Sequence, residues 1–187
     1  MKTSQTNKCI LIAAALAFFM LLTRGSHMLT PFSLPDASIA LFLLGGLWLK
    51  RAGWFAAFFV LATCIDFGAA AFDPAQGFCL TNGYWGLIPS YGVMWLGGIW
   101  LSKQDDAFNA QSYALVALST TFTAFVISTQ TYYLFSGRFP AQGLIESMKH
   151  GWEYLPSWMG YAGVYFAIVW LTSYGLRSLT VLKTAKE

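Results

Sequence analysis

Four side chains in this sequence have chemistry out of proportion to their surroundings: His27, Asp66, Cys79 and Tyr84. Cys79 is the most informative. The chain has three cysteines, Cys9, Cys64 and Cys79, and no Cys-x-x-Cys pair. The absence of that pair weakens a thiol–disulfide reading. Cys9 and Cys64 fall inside apolar blocks, where a free cysteine behaves as a small apolar residue. Cys79 falls in a short polar stretch, Gly77-Phe78-Cys79-Leu80-Thr81-Asn82-Gly83-Tyr84. A thiolate is a soft ligand for a transition metal. One thiolate is a poor cage for a bare ion, so it suits a metal whose other positions are already filled, as in a tetrapyrrole ring.

The elements that position these residues follow from composition. Of 187 residues, 57% are hydrophobic and only 10% charged, against about 25% charged in a soluble domain. The apolar residues form six blocks, about 9–23, 34–49, 53–71, 84–101, 112–135 and 156–176. Each is close to the length needed to cross about 30 Å of hydrocarbon as helix. The expectation is a single all-α integral membrane domain covering 1–187, with the lipid bilayer as its main partner. A net charge of +3 is too small to imply nucleic acid. The block Cys9–Thr23 is read as a retained helix, because no Ala-x-Ala cleavage signal follows it.

Orientation comes from Lys and Arg. With the N-terminus inside, the inner segments hold Lys2, Lys8, Lys50, Arg51, Lys103, Arg177, Lys183 and Lys186, and the outer ones Arg24, Arg138 and Lys149. Eight against three places both termini in the cytoplasm. His27, Cys79 and Tyr84 then fall at the outer face. Asp66 is thirteen residues past Gly53, roughly 20 Å along its helix at 1.5 Å per residue, which is the outer third of the membrane. A carboxylate inside a span faces a cavity or a partner. Aromatic residues near this depth, Trp85 among them, read as an interfacial belt or as pocket lining. Glu146 and His150, four apart in the fifth loop, read as an ordinary solvated turn.

The size, the Ala-rich first block, Asp66 and the loop Cys79-Leu80-Thr81-Asn82-Gly83-Tyr84 resemble the BtuM-type bacterial vitamin B12 transporters, which are related to the S-components of energy-coupling-factor (ECF) transporters. The resemblance spans essentially the whole chain. It implies an S-component-like bundle in the inner membrane of a Gram-negative bacterium, binding cobalamin through a mouth that faces the periplasm. Cobalamin would be transported substrate, with Cys79 as axial thiolate ligand to its cobalt. His27, Asp66, Tyr84, Trp85 and Arg138 would line or contact the ligand. Thiolate donation would promote loss of an axial ligand such as cyanide, chemistry coupled to transport. An ECF energising module would dock on the first helix through Ala13 and Ala17, whose spacing permits close helix approach. The alternatives are an S-component-like transporter for another vitamin, or a membrane thiol oxidoreductase.

Overall fold

A computed structural model describes residues 2–24, 34–139 and 143–184. All regular structure among them is helical, with no strand. The helices are α1 (Lys2–Arg24), α2 (Ser38–Trp48), α3 (Ala52–Phe72), α4 (Leu87–Leu101), α5 (Ala110–Phe135), the single turn α6 (Leu144–Ser147) and α7 (Leu155–Thr184). Two 3-10 segments, Pro74–Cys79 and Asn82–Gly86, connect α3 to α4. Three helical stretches, Thr6–Arg24, Ala52–Phe72 and Ala110–Phe135, are long and apolar enough to cross a membrane.

The second apolar block departs from expectation. The block predicts a span over 34–49, yet helix covers only Ser38–Trp48, eleven residues. That is about 16 Å of rise, short of the hydrocarbon thickness. The reason lies at its start. Pro35 sits just ahead, and the Asp36 carboxylate accepts from both the Ser38 backbone N–H (2.9 Å) and the Ser38 hydroxyl (2.6 Å), which fixes a non-helical entry. The fourth block also begins differently, with 3-10 geometry through Gly86 before α4.

Helix α2 is the centre of the bundle. Every residue from Ser38 to Leu47 is buried, and its apolar character runs all round, as a helix enclosed by other helices requires. Its tightest neighbour is α4. A Cβ on Gly46 would collide with the Trp95 backbone, and one on Gly98 with the Leu43 carbonyl. Glycine at both positions lets the two backbones touch. Around that contact, Phe42 stacks on Tyr91 (4.2 Å between centroids) and meets Phe55, Phe58 and Trp95 edge-on.

The outward faces are also apolar. Leu11, Phe18, Val60, Leu115, Ile168 and Leu171 are all more than half exposed. So much exposed hydrocarbon on several helices is the pattern of a surface solvated by lipid.

Candidate functional site

The bundle has two polar ends. One carries Arg24, Ser38, Asp66 and the start of α4; the other carries the Lys50–Arg51 turn and the α4–α5 connection. The candidate site is at the Arg24 end.

Arg24 is the last residue of α1, and its side chain is 9% exposed. Its guanidinium grips Asp66 of α3 through two parallel bonds, Nε to Oδ1 at 2.7 Å and Nη2 to Oδ2 at 2.6 Å. Nη1 donates to the Ser38 hydroxyl (2.7 Å), the Tyr91 hydroxyl (2.7 Å) and, at 3.3 Å, Asp36. Tyr84 closes the arrangement by donating its hydroxyl to Asp66 Oδ2 at 2.9 Å, with Thr63 Oγ1 at 3.4 Å. One arginine thus ties α1, α2, α3 and α4 together. The planar fork of arginine is what permits it; a lysine ammonium cannot make the paired bonds.

Asp66 and Tyr84, expected at one mouth, are in contact. The partner of Asp66 is the residue the sequence reading missed. Arg24 counted there only as an outer positive charge. The available signal was an arginine ending one apolar helix and an aspartate inside another, since an intramembrane carboxylate calls for a cation. Asp36, a carboxylate inside the expected 34–49 span, carried the same signal and was not singled out, whereas Ser38 and Tyr91 had none. His27 lies outside the described residues.

Cys79 ends the first 3-10 segment and is exposed, and Cys9, Cys64 and Cys79 are all free thiols. Asp73 caps that segment by accepting from the Ala75 N–H at 3.0 Å. Arg138, at the far side of α5, holds it in place. Its Nη2 donates to the Phe78 carbonyl (3.2 Å), and its guanidinium lies over the Phe78 ring at 4.0 Å. Tyr132 sits under the same ring (6.0 Å between centroids) and within electrostatic reach of Cys79. Neighbouring protein strips hydration from the thiol, and the Asp66 carboxylate adds to that effect. Together they raise its pKa above the ordinary value, against the pull of Arg24 and Arg138. Trp85, beside Tyr84, is 65% exposed.

Tyr132 continues into a ring cluster with Tyr133 and Phe139, and His150 stacks on Tyr133 at 5.5 Å. Glu146 pairs with Lys149 at 2.7 Å and is 3.9 Å from His150, the solvated turn expected. Gly151 makes the packing possible. Its φ of +87° is a left-handed conformation, and a Cβ there would strike Thr129. The Tyr132 hydroxyl and Gln130 Oε1 are buried with no hydrogen-bond partner among the described residues. A buried polar atom left so costs about 1–3 kcal/mol.

Among the described residues no group of three His, Cys, Asp or Glu side chains is gathered to hold a metal ion. The arrangement offers one exposed thiol, aromatic faces, a guanidinium and a saturated ion-pair network. Among the described residues it offers a single soft ligand, suited to a metal otherwise enclosed. On the first helix, Ala13 is buried, Ala17 half-buried and Ala14 exposed. No protein-family model matches the sequence, and no curated protein sequence matches it.

Proposed function

We propose that this chain is a bacterial inner-membrane protein whose six apolar segments cross the membrane, the second as a short helix extended by the residues ahead of it, with both termini cytoplasmic, and that it takes up cobalamin from the periplasm and uses Cys79 as the axial thiolate ligand to cobalt. The observation that carries the reading is Cys79 itself. It is a free, exposed thiol, flanked by the Phe78 and Tyr132 rings and by Arg138, on the same end as the Asp66–Tyr84 contact.

In this reading the parts divide their work. The Arg24–Asp66–Tyr84 network is the fixed wall of the mouth. With both oxygens of Asp66 engaged by Arg24 and Tyr84, Asp66 is no free base for the thiol. The proton is released by ligation: the S–H bond breaks, sulfur binds cobalt, and the proton passes to solvent, as metal binding by a cysteine requires. The axial ligand on the sulfur's side departs with its electron pair. Donation from sulfur weakens the bond on the opposite face, so cyanide held there leaves as the anion and takes up a proton. The cobalt keeps its oxidation state throughout.

The test is retention of ligand. Purified protein mixed with cobalamin and passed through gel filtration is expected to elute coloured, and Cys79→Ala protein to lose most of the colour. Equal retention by both proteins overturns the assignment of Cys79. No retention by either overturns the ligand.

A further inference from the structure

At the Arg24 end, α1 and α3 are pinned together by the guanidinium–carboxylate pair. Toward the other end a groove opens between them. It is lined by Ile10, Ala13, Ala14 and Ala17 of α1 and by Trp54, Ala57, Phe58 and Leu61 of α3, and its volume is about 300 Å³. Every lining residue is apolar. Four of the eight are alanines, and those small side chains create the space.

Dimensions decide what fits. Seven residues separate Ile10 from Ala17, so the groove runs about 10 Å along the helix. Its mean cross-section is then about 30 Å². A helix with side chains is at least about 10 Å across and needs roughly 80 Å², so a helix would lie across the groove rather than fill it. A methylene occupies close to the volume of a liquid water, about 30 Å³. The groove therefore accommodates on the order of ten methylenes in single file, the proportions of a lipid acyl tail.

Charge decides which lipid. The groove meets its polar end at the first turn of α3. Trp54 lines it there, and Lys50 and Arg51 immediately precede that turn, both exposed. Neither makes an ion pair among the described residues. Two unpaired cations at the membrane surface attract an anionic headgroup, and a tryptophan at that depth is suited to the headgroup boundary.

We infer that this groove is a binding site for one anionic phospholipid, its tail between α1 and α3 and its phosphate on Lys50 and Arg51. The inference rests on the membrane-crossing reading of α1 and α3 and is independent of cobalamin. The test places the full-length protein in nanodiscs of phosphatidylglycerol or of phosphatidylcholine, releases it, and counts retained lipids by native mass spectrometry. One phosphatidylglycerol is expected to stay on the unaltered protein, with phosphatidylcholine retained at least tenfold less. Ala14→Leu with Ala57→Leu fills the groove and is expected to abolish retention. Lys50→Asn with Arg51→Gln keeps the groove and is expected to lower phosphatidylglycerol retention about tenfold. Asparagine is chosen because Lys50 has φ +62°, which asparagine tolerates. These exposed substitutions leave the core intact, so they decide the matter even if the leucine pair fails to fold. Equal retention of the two lipids, or retention unchanged by both pairs, overturns the site. So does a co-purifying protein or second copy that the leucine pair displaces, because the face would then bind a helix across its surface. Cobalamin retention measured on the same samples separates a failed lipid site from a failed ligand assignment.

Discussion

Two regions at the same end of the molecule treat polar groups in opposite ways. Around Arg24 every strong group is matched: the guanidinium has Asp66, Asp36, Ser38 and Tyr91, and Asp66 has Tyr84 besides. Around Cys79 the groups are left available. The thiol is exposed and free, and the buried Tyr132 hydroxyl has no hydrogen-bond partner among the described residues. A saturated buried network specifies one arrangement of four helices and has little capacity left for a ligand. An open, shallow cluster contributes little to the fold and is free to meet one. Asp66, which the sequence grouped with Cys79 at one mouth, is thus taken up by the architecture, and Cys79 is left as the thiol on which the proposed ligation rests.

The sharpest way to break this division is Arg24→Ala. It leaves Asp66 unpaired where it is only 21% exposed, and removing one partner of a buried ion pair costs about 3–5 kcal/mol. Thermal unfolding in detergent should fall by many degrees, and Arg24→Lys should restore little because the paired geometry is lost. An unchanged melting temperature would dissolve the distinction. A somewhat smaller loss is expected at the α2–α4 contact. Gly98→Ala forces a methyl against the Leu43 carbonyl, and overpacking of this kind costs about 1–3 kcal/mol. If it proves silent, the two helices are not held backbone to backbone. At the open cluster, Arg138→Gln removes an exposed clamp on the Phe78 carbonyl and ring. It should cost no more than about 1 kcal/mol, while cobalamin retention drops because the Cys79 segment loses its position. Cys79→Ala should change stability least, within about 0.5 kcal/mol for an exposed site.

Much of this was legible in the sequence. Low charge and continuous apolar blocks pointed to an all-helical chain, because the other arrangement that satisfies the backbone in hydrocarbon, a closed β-barrel, is built from short strands of alternating apolar and polar residues. Cys79 stood out as the one thiol outside an apolar block, and Asp66 as a carboxylate that had to have company. Its company was not legible. Arg24 and Asp66 are 42 residues apart, and nothing local joins them; the pairing exists only once α1 and α3 are side by side. The shortness of α2 was hidden for a different reason. The expected block ran to Leu34 across Pro35 and Asp36, and it is Pro35 together with the Asp36–Ser38 hydrogen bonds that delays the helix to Ser38. The groove between α1 and α3 depends on how the alanine face of α1 diverges from α3, which composition does not encode.

The central claim is a cobalt–sulfur bond at Cys79, and its visible absorption spectrum tests that most directly. Cobalamin added to the purified protein should shift from the spectrum of the free vitamin to that of a thiolate-ligated cobalt. Because the bound form has lost a proton, the shifted fraction at limiting protein should grow with pH. Partial desolvation by the surrounding chain, with the Asp66 carboxylate, raises the Cys79 pKa although its sulfur stays accessible, so the growth should continue past about pH 8.5, where an ordinary cysteine is half ionised. Cys79→Ala protein should leave the vitamin's spectrum unchanged at every pH. A spectrum shifted equally by both proteins, or by neither, would contradict the account.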